Sequence, residues 1–88
     1  MILHVKFSDG SNPWVSFAPD RKTIAKQWIQ WMKYHPETAR PCASAGTYYC
    51  IPSLFGGYMV QNENIPSEST RYYKTLGRAL AALERLEV

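Results

Sequence analysis

The sequence predicts an α+β domain, an antiparallel sheet of four to five strands with two helices packed on one face, in the order β-β-α-β-β-(β)-α. Three patterns carry this prediction. Short stretches near the N-terminus alternate apolar and polar side chains, two longer segments repeat apolar residues at helical spacing, and clusters of Gly, Pro, Asn, Asp and Ser separate the runs.

Residues 2 to 7 place Leu3, Val5 and Phe7 on one side and Ile2, His4 and Lys6 on the other, the period of a strand. Trp14 to Ala18 alternates as well. Val15 and Phe17 are expected to join Leu3, Val5 and Phe7 in the core, with Trp14 and Ser16 on the opposite side. Between the two runs, Ser8-Asp9-Gly10-Ser11-Asn12-Pro13 concentrates turn formers, with Pro13 fixing the start of the second strand, so the pair reads as a hairpin.

Asp20 to His35 reads as one amphipathic helix. Asp20, after Pro19, is a good N-cap because its carboxylate accepts amide protons that the first turn leaves unpaired. His35-Pro36 ends the helix, since the residue before proline is pushed out of the α region. Ile24, Ala25, Trp28, Ile29 and Met32 share one side at about 100° per residue. Lys22, Lys26 and Lys33 fall on a narrow strip bordering it, and no acidic residue lies between Arg21 and Pro36.

Glu37 to Gly46, with Pro41 and several small residues, reads as a linking loop within the domain. Thr47 to Ile51 and Tyr58 to Gln61 are β-prone and flank Gly56-Gly57, a glycine pair suited to a hairpin turn. Asn62 to Ser69 is polar and holds Pro66, so an exposed loop is expected, followed by a short strand from Arg71 to Lys74. Glycine deep inside a helix costs about 1 kcal/mol relative to alanine. Gly77 therefore belongs in a first turn, with Thr75 as N-cap of a helix from Leu76 to Glu87. Leu76, Ala79, Leu80, Leu83 and Leu86 form its buried stripe, with Arg78 and Arg85 opposite.

Composition bounds what such a domain does. Eighty-eight residues, 45% hydrophobic and 14% aromatic, suit a single small domain with its own core. Ten Lys/Arg against seven Asp/Glu give a net charge of +3, a mild preference for anionic partners. The opening MILHVKFSDG has neither a basic leader nor a long apolar stretch, so no signal peptide, membrane span or membrane partner is expected and the location is read as cytoplasmic. Cys42 and Cys50 are then expected as reduced thiols.

No catalytic or ligand motif stands out. His4, His35, Cys42 and Cys50 lack the paired short spacing of a zinc site, so no metal or other cofactor is expected. A cysteine paired with His35 would still need an orienting residue and an oxyanion hole. Gly56-Gly57 lacks the lysine and following helix of a phosphate loop, and the carboxylates are scattered. A non-enzymatic protein is the expectation.

The strongest remaining signal is a basic surface made of Lys22, Lys26, Lys33, Lys74, Arg78 and Arg85, edged by Trp31. These residues also suit the ordinary solvated sides of two helices; what favours a contact is the missing acid from Arg21 to Pro36. The primary expectation is a small interaction protein docking on an acidic protein or nucleoprotein surface, with a phage or mobile-element accessory or inhibitor protein as one setting. The alternative is a domain binding duplex or structured nucleic acid through the same face. If one sheet face is uncovered, Ile2, Trp14 and a tyrosine would leave an apolar patch that invites a homodimer.

From Asp20 onward the inferred α-β-β-β-α order resembles the double-stranded RNA-binding domain. Lys74-Thr75-Leu76-Gly77-Arg78 is similar to that family's basic helix start, and the resemblance implies phosphate contacts for Lys74 and Arg78. The chain lacks the family's run of lysines and its Gly-Pro-x-His loop, and it carries an extra hairpin before the first helix.

Overall fold

Alternating apolar residues at Ile2–Phe7 and Trp14–Phe17 form an antiparallel hairpin of strands β1 and β2, closed through Ser8 to Asn12 with Gly10 at φ +90°. A computed structural model of the chain describes residues 1–12, 14–18 and 20–86. The expected roles of Pro13 in β2 and of Glu87 in the last helix lie outside those residues. Helix α1, Arg21–Tyr34, follows, with the Asp20 carboxylate accepting the Thr23 amide proton at 2.8 Å as its N-cap. Strands β3 (Ala39–Ala45), β4 (Tyr48–Pro52) and β5 (Tyr58–Asn62) form a meander. A short helix α2 (Pro66–Ser69), inside the stretch expected as an exposed loop, makes three helices where two were expected and leads into β6 (Arg71–Tyr73) and helix α3 (Leu76–Leu86), whose Arg78 amide bonds to the Thr75 hydroxyl at 3.2 Å.

All six strands join one antiparallel sheet in the order β2-β1-β3-β4-β5-β6. Helices α1 and α3 pack on one face, over Leu3 and Val5 of β1, Ala43 of β3, Cys50 of β4 and Val60 of β5, all of them buried. Ile24 and Trp28 from α1 meet Leu76, Ala79, Leu80 and Leu83 from α3 above them.

The sheet thus has six strands rather than four to five, and the addition is central. Residues 39 to 45, expected as a loop, form β3, paired to β1 along its length and to β4 from Ala43. Alanine and proline are poor strand formers, which hid it. The strand alternates buried Ala39, Pro41, Ala43 and Ala45 with more exposed Arg40, Cys42 and Ser44. Small side chains are what this position needs, because both long helices pass over β3. Pro41 falls outside the registered β3–β4 rungs, where its missing amide proton is tolerated.

Three further expectations are corrected. In β2 the faces are exchanged: Val5 pairs with Trp14 and Leu3 with Ser16, so these side chains point to the helices, while Val15 and Phe17 lie opposite His4 and Ile2 on the other face, Phe17 being 77% exposed. Ile29, expected on the buried side of α1, is 59% exposed beside the lysines, and Leu86 is exposed at the end of α3, where Ala82 is buried instead. Four strands, not three, separate α1 from α3, so the helices run antiparallel, unlike the α-β-β-β-α arrangement of the resemblance. The Arg21–Glu84 ion pair, 2.7 Å long, accordingly joins the start of α1 to the last turn of α3.

Candidate functional site

The six predicted cations are all exposed, and none pairs with a carboxylate among the described residues. On α1, Lys22, Lys26 and Lys33 fall opposite the Ile24–Trp28 stripe; on α3, Arg78 and Arg85 fall opposite Leu76, Leu80 and Leu83. Both sets therefore lie on the outer side of the helix layer. The antiparallel helices split them lengthwise. Lys33, at the end of α1, shares one end of the molecule with Lys74 and Arg78, at the start of α3. Lys22 and Arg85 lie at the other end, beside Arg21 and Glu84, with Lys26 between.

Trp31 is not part of that strip. It lies on the flank of α1 facing β2, half-buried, with ring centroids 6.0 Å from Phe7, 5.9 Å from Trp14 and 5.4 Å from His35. The four rings seal the open side of the core beneath the edge strand. A shallow groove of about 460 Å³ runs beside them, lined by Trp14, Gln27, Gln30, Trp31, Tyr34 and His35. The juxtaposition of lysines with an exposed indole is therefore absent, and the ring beside a lysine is Tyr34, 5.8 Å from the Lys33 ammonium.

The residues that sequence reasoning passed over sit at the tip of the β4–β5 hairpin. Leu54 is 99% exposed and Phe55 94% exposed. The tip is held rigidly for a loop: the Ser53 amide bonds to the Gly57 carbonyl at 3.0 Å, the Gly56 amide to the Ser53 carbonyl at 3.2 Å, and the Phe55 amide to the Ser53 hydroxyl at 3.2 Å. Gly56 and Gly57 take φ values of +91° and +71°, which side chains disfavour. The turn residues were legible; that a turn would carry two large apolar side chains out of the core was not a question periodicity addresses.

Strand directions place this finger with Lys33, Lys74 and Arg78. β4 runs antiparallel to β3, and β5 to β6, so the hairpin tip lies where β3 begins, just after α1 ends, and where β6 ends, just before α3 begins. The backbone at Tyr73–Lys74 touches Gly57 at the base of the finger. Lys6 and Arg40, opposite each other on β1 and β3, are at the same end, against Asp9 and Glu37 as the acids there. Asp20, Glu63, Glu68 and Glu84 lie toward the opposite end.

No protein family, curated protein or solved structure shows a significant match to this chain. The site's own chemistry must carry the reading. Among the described residues no cluster of three or more His, Cys, Asp or Glu is placed to hold a metal ion. One pairing escaped the sequence, because β3 did: His4 and Cys42 are register partners on the face of the sheet away from the helices. Burial pushes the Cys42 thiol up from its ordinary value against the pull of Lys6, and its Sγ lies 3.9 Å from the Ala43 carbonyl. That is a protonated thiol, not an activated nucleophile. Burial likewise pushes Cys50 up to about 12, with Cys42 adding to the effect. No helix among the described residues is long and apolar enough to cross a membrane.

Proposed function

We propose that this protein is a non-enzymatic docking module that seats the Leu54–Phe55 finger in an apolar pocket of an acidic protein or nucleoprotein partner, with Lys33, Lys74 and Arg78 meeting carboxylates around that pocket. One observation carries the reading: two almost fully exposed large apolar side chains on a hydrogen-bonded turn, at the end of the molecule where exposed cations gather. Apolar anchors that fill a pocket supply most binding energy in an interface, while rim charges steer the approach and select the partner. A rigid turn adds to this, because little conformational freedom is lost on docking.

Lys22, Lys26 and Arg85 extend the positive potential along the helix layer but stand outside this contact. Trp31 is assigned to the core edge, not to the partner. The proposed setting is an accessory or inhibitor protein from a phage or other mobile element, a role that a small free-standing binder suits.

The test is capture of partners from lysate, with and without nuclease, by the wild type and three variants. Leu54→Ser/Phe55→Ser and Lys33→Glu/Arg78→Glu are expected to lose a nuclease-resistant partner, while Lys22→Glu/Arg85→Glu keeps it. Equal loss with all three variants would turn the reading into a diffuse charge effect, and loss of partners on nuclease treatment would favour nucleic acid bound along the whole helix layer.

A further inference from the structure

Both long helices lie on one face of the sheet, and among the described residues no long helix covers the other, which α2 meets only at its Gln61 edge. Register fixes what that face presents. One row across the strands reads Phe17, Ile2, Ser44, Tyr49 and Gln61; the next holds Val15, His4 and Cys42 on one side and Ile51, Met59 and Tyr72 on the other; the third is Lys6 beside Arg40. No carboxylate stands in any of the three rows. The face holds a depression of about 840 Å³, lined by His4, Lys6, Arg40, Cys42, Tyr49 and Leu54 of the finger, with Glu63 at the end away from Lys6 and Arg40.

Lys6 and Arg40 are the unusual feature. Like charges directly opposite each other across two strands repel, and here neither side chain has a carboxylate partner among the described residues. The Arg40 guanidinium donates to the Ala39 carbonyl at 3.0 Å, and an anion bridging the two side chains would relieve their repulsion. On the same face, His4 lies in the adjoining row, Tyr72 in that row on the far edge strand, and Phe17 and Tyr49 in the row beyond. Tyr49 is fixed there, its hydroxyl donating to Gln61, whose amide in turn donates to the Thr70 hydroxyl at 2.9 Å and the Pro66 carbonyl at 3.2 Å.

We propose that this uncovered sheet face binds single-stranded nucleic acid, with phosphates bridging Lys6 and Arg40 and bases stacking on the rings of the two neighbouring rows. Cations next to aromatic rings on an open surface are what an unpaired strand requires, because it offers both a charged backbone and free base faces. A duplex satisfies the cations but keeps its bases stacked on each other. An acidic peptide also satisfies them, yet leaves the rings without a stacking partner. A second copy docking through the same face brings the same two cations, with Glu63 at the far rim as its carboxylate. The inference concerns the sheet face, whose depression is bordered by Leu54 of the finger, and goes beyond the docking reading; the open-face variants below leave Leu54, Phe55, Lys33, Lys74 and Arg78 intact, so the two fail independently.

The experiment is fluorescence anisotropy with labelled oligo-uridylate and oligo-thymidylate of about a dozen nucleotides, a length within the range one such surface occupies. Saturable binding is expected, and neutralising two phosphates makes it fall roughly sevenfold between about 50 and about 200 mM salt. Lys6→Glu/Arg40→Glu should weaken it at least about tenfold, and Tyr72→Ser or Phe17→Ser, both on exposed side chains, roughly fivefold each. Far-UV circular dichroism and the melting temperature of each variant establish that it folds. The proposal is overturned by absence of saturable binding at low salt, by tighter binding of a duplex of the same length, by a dimer in sedimentation that the open-face variants dissolve, or by binding that survives those variants and disappears with Lys26→Glu/Arg78→Glu.

Discussion

Trp14 and Trp31 pack with ring centroids 5.9 Å apart and planes inclined by 45°, tying the edge strand β2 to the flank of α1. This contact sets which face of β2 is inward. Trp14 is only 37% exposed, against 77% for Phe17 on the opposite face. Aromatic pairs contribute beyond the area they bury, so Trp14→Ala is expected to destabilise the fold by about 2 kcal/mol. Phe17→Ser should change stability by less than about 0.5 kcal/mol. Urea denaturation of both variants checks the ranking; the reverse order would return Val15 and Phe17 to the core.

Gly57 and Tyr73 define the closest backbone approach at the finger's base. A Cβ on Gly57 would stand 2.4 Å from the Tyr73 carbonyl oxygen, where β5 and β6 meet, and the residue also holds φ +71°. At Gly56, with φ +91°, the same Cβ meets nothing within 4 Å. Gly56→Ala therefore carries only the left-handed backbone penalty, about 1 kcal/mol, whereas Gly57→Ala must also separate two strands and should cost roughly 3 kcal/mol. Equal melting temperatures for the two variants would refute the steric argument.

Much of this architecture was legible in the chain, for reasons that differ by element. The α1 and α3 segments announce themselves through 3.6-residue spacing and through caps, Asp20 and Thr75, whose bonds the structure contains. The β1–β2 and β4–β5 hairpins follow from turn residues between alternating runs. What alternation does not supply is which face is inward, since a period of two is symmetric; the Trp14 contact with α1 decides it, and that is a tertiary fact. β3 was illegible because its alanines were selected by the helices above it and not by strand propensity. Losing β3 also hid the Lys6–Arg40 and His4–Cys42 pairings. The cations of the helix layer were readable as exposed, but their division between two ends depends on an antiparallel helix pair, which requires the full strand count.

Cys50 links burial to alkaline stability. Its thiol holds its proton to about 12 in the folded chain, mainly because burial disfavours the thiolate, while an unfolded chain releases that proton near 9.0. Between those values the folded state binds more protons than the unfolded one, so the contribution is fully present below about pH 9 and is lost as pH rises toward 12. The stability gap between wild type and Cys50→Ala should therefore shrink from about pH 8 to about pH 11. Thermal melts at several pH values in that interval check it; a gap that holds constant or widens would mean the thiol ionises within the fold.

Leu54 and Phe55, the proposed anchors, add almost nothing to the fold. Side chains at 99% and 94% exposure have withdrawn almost no apolar area from water, so replacing them with serine forfeits almost no transfer free energy. The turn is held by the hydrogen bonds of Ser53, Gly56 and Gly57, which the substitutions leave in place. Leu54→Ser/Phe55→Ser is expected to keep its unfolding free energy within about 0.5 kcal/mol of wild type and to be more soluble at high concentration. By contrast Leu80→Ala, at a fully buried position between the helices and the sheet, should cost about 3 kcal/mol. Chemical denaturation and solubility measurements compare the three chains. A destabilised finger variant would mean that the tip is folded back onto the domain in solution, and that its apolar side chains already have a partner within the same chain.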